Sequence, residues 1–259
     1  KEYRRQRQMC IRDRFIFGGV TQNVGSLSAD GVTGAVINLI NSSNILTVTQ
    51  TTDATYSGTI IGTGALTKAG SSVLTLSGAN TYTGKTTINA GTLRTGANNV
   101  MPDTSEVVFA NTAGAILDIN GNTETIGSIS GGGGSGGNIY IGTNGALTVS
   151  QFTNGTYAGT ISGSGGSFTK SSYGVLTLSG ANTYTGATTV SAGTLTVSGS
   201  LSDSTAVSVS SGATYALGAS DTIGSIAGAG TISLSSYTLT AGGDNSSTSV
   251  SGTITGTGA

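Results

Sequence analysis

The residues that could carry chemistry in this sequence are few, and several recur at a fixed spacing. Asp103 and Asp203 stand 100 positions apart in similar surroundings. Paired carboxylates can hydrolyse a glycosidic bond, but such a pair must lie about 5–10 Å apart. Equivalent places in two copies of a stacked repeat would put these two about 20 Å or more apart. We therefore interpret both as turn residues.

A second pattern resembles a phosphate-binding loop in outline, at Gly78 and at residues 84–86 (GKT). That loop requires four residues between its glycines, whereas five lie between Gly78 and Gly84. The matching place in a later copy of the same stretch holds Ala187 instead of Lys85. Lys85 is therefore interpreted as a turn lysine.

Three other patterns could bind ligands. Tyr82 and Tyr184 recur at the tip of an ANTYTG turn and could stack on glycans, but packing between neighbouring coils is the preferred interpretation. Flat threonine arrays can bind ice, yet they need a threonine at every coil, and the threonines beside these tyrosines recur only every 102 residues. The glycine run at residues 131–137 lacks a following helix and is expected to be a flexible loop between coils.

The composition removes most kinds of reactive site. The sequence has no histidine, which is the commonest general base and metal ligand. Cys10 is the only cysteine, so it forms neither an intrachain disulfide nor a cysteine-based zinc site. We predict no catalytic, cofactor-binding or metal-binding residues, no cofactor, and no enzymatic activity. The remaining acids that we expect in solvated turns or faces are Asp30, Asp53, Asp118, Glu124, Asp221 and Asp244.

The charge is concentrated at the start of the chain. Residues 1–14 (KEYRRQRQMCIRDR) hold six of the ten basic residues and two of the eleven acids. The run could be a basic arm for nucleic acid or membrane, but we favour a non-native or disordered segment outside the fold. The rest carries four basic residues against nine acids, a net charge of −5. A mildly acidic body predicts no nucleic-acid partner.

The body, residues 15–259, is predicted to be repetitive and all-β. Short runs alternate apolar and polar residues, as at residues 74–76 and 207–209, and glycine-rich and asparagine-rich turns separate them. The stretch LTLSGANTYTG occurs at residues 74–84 and again at residues 176–186. Superrepeats are placed near residues 24–125, 126–222 and 223–259. A repeat of short strands favours a parallel β-helix of roughly 20 residues per coil and on the order of 50 Å in length.

One stretch resembles a known family. GANTYTGKTTINAGTL at residues 78–93 and GANTYTGATTVSAGTL at residues 180–195 are similar to the autotransporter-associated β-strand repeat of type V secreted passengers. Lys85 and Ala187 replace the second glycine of the usual TGG. The resemblance implies a right-handed parallel β-helix, incomplete at its ends here. It also implies an outer-membrane β-barrel elsewhere in the full protein.

The same resemblance implies a location at the cell surface or outside the cell, attached to or released from the bacterial outer membrane. The function expected is a structural passenger stalk for adhesion or aggregation. Its partners would be a host or neighbouring-cell surface, a glycan, or another copy of the chain. Two alternatives stay open: a β-helix that carries a polysaccharide-degrading enzyme, and a self-associating extracellular matrix protein.

Overall fold

The computed structural model describes residues 8–10, 14–16, 21–29 and 34–259. Regular structure in these residues consists of strands, and they contain no helix that could cross a membrane. Most of the basic segment at residues 1–14, predicted to be non-native or disordered, lies outside the described residues. Within that segment, Gln8–Cys10 forms a strand paired in parallel with Ser26–Ser28, and Arg14 begins a second strand.

The described part of the chain forms thirty-one short strands in sequence. The first ten are β1 (Gln8–Cys10), β2 (Arg14–Ile16), β3 (Gln22–Val24), β4 (Ser26–Ser28), β5 (Val36–Leu39), β6 (Ile45–Thr49), β7 (Ala54–Tyr56), β8 (Thr59–Gly62), β9 (Ala65–Ala69) and β10 (Val73–Leu76). The next eleven are β11 (Thr86–Ile88), β12 (Thr92–Thr95), β13 (Val107–Phe109), β14 (Ile116–Asp118), β15 (Thr123–Ile126), β16 (Ile129–Gly131), β17 (Asn138–Tyr140), β18 (Ala146–Ser150), β19 (Gly155–Tyr157), β20 (Ile161–Ser162) and β21 (Ser167–Ser171). The last ten are β22 (Val175–Leu178), β23 (Thr188–Val190), β24 (Thr194–Val197), β25 (Ala206–Val209), β26 (Thr214–Leu217), β27 (Asp221–Ile223), β28 (Ser225–Gly228), β29 (Thr231–Ser233), β30 (Leu239–Ala241) and β31 (Thr253–Thr255).

The strands stack into a right-handed parallel β-helix, which confirms the predicted fold class. One side is a long sheet of twelve strands, in the order β3-β6-β9-β11-β13-β16-β19-β22-β24-β26-β29-β31. A first short sheet (β7, β10, β12, β14, β17, β20) and a second short sheet (β15, β18, β21, β23, β25, β28) form much of the other two sides. Eleven steps at one strand spacing of about 4.8 Å give a rod about 53 Å long.

Alternation along each strand places one set of residues in the core. Leu46, Leu66, Val107 and Ile129 occupy one inner ladder of the long sheet, and each is buried. Burying an aliphatic side chain of this size contributes about 1.5–3 kcal/mol. The short strands are therefore held chiefly by the residues stacked above and below them rather than by their own length.

The superrepeat does not match a whole number of turns. β9 lies in the long sheet, and four turns further along that sheet lies β19. The strand equivalent to β9 in the next superrepeat is β21, which lies two sides beyond β19 in the second short sheet. One superrepeat therefore spans four and two-thirds turns, and identical sequence motifs face different directions.

Candidate functional site

A column of hydroxyl residues runs along the outer face of the long sheet. The pairing register aligns one outward position of every strand, from Asn23 in β3 to Thr255 in β31. The column reads Asn23, Thr47, Thr67, Thr87, Val108, Ser130, Thr156, Thr177, Thr196, Ala216, Ser233 and Thr255. Nine of the twelve are threonine or serine, so the rod presents a neutral, hydroxyl-lined strip along its length. We call this set the hydroxyl column.

The hydroxyl column was not predicted, because the sequence repeats most clearly every 102 residues, whereas the column repeats once in every coil. A threonine array of the ice-binding kind would need unbroken neighbouring columns. Val108 and Ala216 interrupt this column. In the neighbouring column, the outward positions two residues before Thr87 and Val108 hold the charged Lys85 and Glu106. The column therefore suits repeated weak hydrogen bonds to a ligand better than it suits the regular lattice of an ice surface.

Tyr82 and Tyr184 pack inside the helix, as the preferred interpretation expected. Both side chains are fully buried. The Tyr82 hydroxyl lies 2.6 Å from the Thr86 hydroxyl, and Tyr184 makes the same contact with Thr188 at 2.6 Å. Burial raises the pKa of both phenols above their usual range. These rings therefore cannot stack on an external glycan.

Two lysines, neither of them predicted to be buried, lie in the core. The Lys68 ammonium donates to the carbonyls of Ala69, Gly70 and Ala90 at 2.9, 2.8 and 3.0 Å. Lys170, 102 positions later, makes the same three-carbonyl contact in its own coil pair. Burial lowers the pKa of each to about 8. Each lysine ties the turn at the end of its own strand to the turn of the next coil.

Buried asparagine side chains also connect the backbone of neighbouring coils. Asn80 accepts from the backbone N–H of Ile60 at 2.8 Å and donates to the carbonyl of Val100 at 2.8 Å. Asn182 repeats both kinds of contact 102 positions later, with Ile161 at 3.0 Å and Ser200 at 3.0 Å. These side chains satisfy backbone groups of three successive coils, so their recurrence in the sequence reflects folding rather than ligand binding.

Asp30 lies outside the described residues, and of the other five acids expected to be solvated, the expectation was wrong for three. Asp118, Glu124 and Asp221 are buried. Asp118 accepts from Arg94 at 2.7 Å, and Glu124 accepts from the backbone N–H groups of Val100 and Met101 at 2.9 and 3.1 Å. Burial, opposed by these hydrogen bonds and assisted by the nearby Asp103, raises the pKa of Glu124 to about 7.

Asp103 and Asp203 are exposed turn residues in positions four and two-thirds turns apart. That is about 22 Å along the rod, too far for one hydrolytic pair. Each instead lies near a buried acid of the next coil, Asp103 near Glu124 and Asp203 near Asp221. Asp203 and Asp221 line a shallow open hollow with Ser220, Thr222, Thr238 and Thr240.

The other predicted features have structural places. Lys85 is exposed next to Gly84, as expected of a turn lysine. The glycine run is a tight turn rather than a loose loop, because Gly133 and Gly136 exchange backbone hydrogen bonds at 2.8 and 3.1 Å. Ser135 N–H also donates to Asn111 of the preceding coil at 2.9 Å. The described residues contain no cluster of three side chains able to hold a metal ion.

Comparison with known proteins gives this rod a biological setting. Residues 66–94 and 168–197 match the passenger-associated-transport-repeat family. These residues hold the buried lysines and the buried tyrosines of the two corresponding coil pairs. The match confirms the resemblance to autotransporter passenger repeats that the sequence predicted for these two stretches. The expected location, at the cell surface or outside the cell and linked to the outer membrane, agrees with that assignment.

A curated relative supports the same assignment for the passenger. The adhesin BmaC autotransporter of Brucella suis biovar 1 (strain 1330) is 44% identical to the chain over 131 residues. The match covers 50% of this chain and 4% of the relative. No solved structure matches the chain significantly.

Proposed function

We propose that this passenger chain is a stalk segment that holds an autotransporter passenger away from the cell and contributes to adhesion or aggregation, without catalysis. The hydroxyl column carries the proposal. It offers a neutral, hydrogen-bonding strip about 53 Å long on a rod whose core is closed by its own side chains. Such a strip can form many weak contacts with a host surface, a glycan layer or a second rod.

The experiment displays the chain on a non-adherent bacterium, fused between an export signal and an outer-membrane β-barrel anchor. Adhesion to epithelial cells and settling of the culture are measured against an anchor-only strain. A third strain displays a variant of the chain in which lysine replaces Thr67, Thr87, Thr177 and Thr196 of the hydroxyl column, so that equal charges repel along the strip. Adhesion or settling above the anchor-only strain, reduced in the lysine variant, supports the proposal. Equal behaviour of all three strains rejects it.

The hollow beside Asp203 and Asp221 favours one alternative, a β-helix that carries polysaccharide-degrading activity. Two nearby carboxyl groups, one of them buried with a raised pKa, are the usual elements of a glycosidase. However, Asp221 already accepts the backbone N–H of Leu201 at 3.1 Å, which fits a structural role. Release of reducing sugar from neutral polysaccharides, abolished by Asp203→Asn and Asp221→Asn, would establish the enzyme instead of the stalk.

A further inference from the structure

An exposed pair of aromatic side chains sits at one corner of the rod. Phe152 and Tyr173 are 46% and 77% exposed, far more than the buried tyrosines of the core. Their ring centroids are 5.9 Å apart and the rings are inclined at 74°. Phe152 follows β18 and Tyr173 follows β21, so the pair spans two adjacent coils. We call residues 151–154 and 171–174 the second corner.

The second corner is fixed from inside. Gly174 N–H donates to the Gln151 carbonyl at 2.9 Å, and Val175 N–H donates to the Asn154 side chain at 2.9 Å. The buried Gln151 side chain accepts from Ile129 N–H at 3.1 Å. Below the Tyr173 turn, the Lys170 ammonium donates hydrogen bonds to a carbonyl of that turn and to a carbonyl of the next coil. The two rings therefore stand on a rigid base, which lowers the entropy cost of binding a ligand.

An earlier corner has the same base without the aromatic rings. At residues 50–53 and 70–72, Ser72 N–H donates to the Gln50 carbonyl at 3.3 Å and Val73 N–H donates to Asp53 at 2.9 Å. Lys68 holds these turns as Lys170 holds the later ones. The places equivalent to Phe152 and Tyr173 are occupied by Thr51 and Ser71, both exposed. We call this the first corner. The fold therefore does not require aromatic residues at these two places.

We propose that Phe152 and Tyr173 form a contact site for a neutral saccharide. The proposal rests on the adhesive function proposed above and names the chemistry of one ligand. The apolar C–H face of a sugar ring packs against an aromatic face. The surrounding serine, threonine and asparagine side chains, with the Tyr173 hydroxyl, can bond the sugar hydroxyls.

Size and charge favour a saccharide over other ligands. Two aromatic side chains offer at most about 500 Å² of contact, whereas a stable protein interface needs about 800 Å² on each partner. Neither residues 151–154 nor residues 171–174 include a charged side chain. Lys170 is buried with its ammonium committed to carbonyls, so it cannot bind an anionic group. A small neutral ligand with an apolar face fits both constraints.

The test exchanges the residues of the two corners. The purified full chain is passed over immobilised neutral gluco-, galacto- and manno-oligosaccharides, and binding is measured by surface plasmon resonance. Phe152→Thr with Tyr173→Ser gives the second corner the residues of the first. Thr51→Phe with Ser71→Tyr makes the opposite change. Circular dichroism and thermal melting confirm that both variants keep the wild-type fold, which is expected because all four positions are exposed.

We expect the wild-type chain to bind at least one of these oligosaccharides. The Thr/Ser variant should bind it about tenfold more weakly or not at all, and the Phe/Tyr variant should show about twice the binding capacity. Absence of wild-type binding to every oligosaccharide overturns the proposal, as does unchanged affinity in the Thr/Ser variant. The same variants displayed on cells separate the two proposals. Adhesion above the anchor-only strain, together with unchanged oligosaccharide affinity in the Thr/Ser variant, rejects the saccharide site and leaves the adhesive stalk intact.

Discussion

At the scale of single residues, the molecule places polar side chains at core positions where the alternating sequence pattern predicts apolar ones. Lys68 and Gln50 each lie two positions after a buried residue, and Glu124 lies two positions before the buried Ile126, so all three side chains point into the core. This parity was visible in the sequence, as in Leu66 and Lys68 of LTK. Because charged side chains are seldom buried without partners, the pattern alone could not predict which of them the neighbouring coils would satisfy.

Replacing a buried lysine removes the donor for carbonyls of two coils. We expect Lys68→Met to lower the free energy of unfolding by about 2–4 kcal/mol, because the Gly70 and Ala90 carbonyls stay buried without the ammonium. Lys170→Met should have a similar effect. Urea denaturation followed by circular dichroism measures the change. The exposed Lys85→Met is the matched control and should change stability by less than about 0.5 kcal/mol. Equal stability of Lys68→Met and wild type would show that the carbonyls need no cap.

Glu124 should make stability depend on pH. Its pKa rises to about 7 in the folded chain, so the folded state binds the proton more tightly than the unfolded state. Stability contributed by this group is therefore full below about pH 4.5 and is lost as pH rises through about 7. The difference amounts to about 3 kcal/mol. Glu124→Gln should flatten the decline in urea midpoint between pH 5 and pH 8. Parallel pH profiles for variant and wild type would contradict this account.

At the scale of strands and turns, the period-two pattern predicted the elements well. Residues 74–76 and 207–209 lie in β10 and β25, and the core alternates as expected. The corners were harder to predict, because one coil takes 17 residues from Tyr215 to Ile232 and another takes 26 from Gly131 to Tyr157. Local turn chemistry sets these lengths. They decide which side of the rod each later strand joins, so the sheet membership of a strand could not be read from its own sequence.

Turn glycines test how closely the coils approach one another. Gly193 has φ +64°, and a Cβ there would lie 2.5 Å from the Ser172 carbonyl and 2.7 Å from the Lys170 ammonium. Gly212 has φ +79° with open space around its Cβ position. We expect Gly212→Ala to cost about 1 kcal/mol for its backbone conformation, and Gly193→Ala to cost at least about 2 kcal/mol more. Thermal melting compares them. Equal losses would mean that coil spacing at this corner is not tight.

At the scale of the whole molecule, the repeat of short strands predicted the rod and its approximate length, but not how far each superrepeat turns around the axis of the rod. A superrepeat of four and two-thirds turns makes the two LTLSGANTYTG stretches face different directions. In a passenger that continues this pattern, equivalent surfaces return to one side after three superrepeats, or fourteen turns, about 67 Å along the axis. Any single face of the rod therefore carries changing sequence, and an adhesive site such as the second corner occurs on one side only.

The distance between the two ends of the long sheet tests the central claim most directly. Asn23 and Thr255 are exposed and form the two ends of the hydroxyl column, eleven strand steps apart. With Cys10 replaced by serine, spin labels on cysteines at these two positions should give a narrow distance distribution centred near 53 Å, about 4.8 Å per step. A broad distribution, or one centred below about 35 Å, which is under eight such steps, would contradict a continuous parallel β-helix.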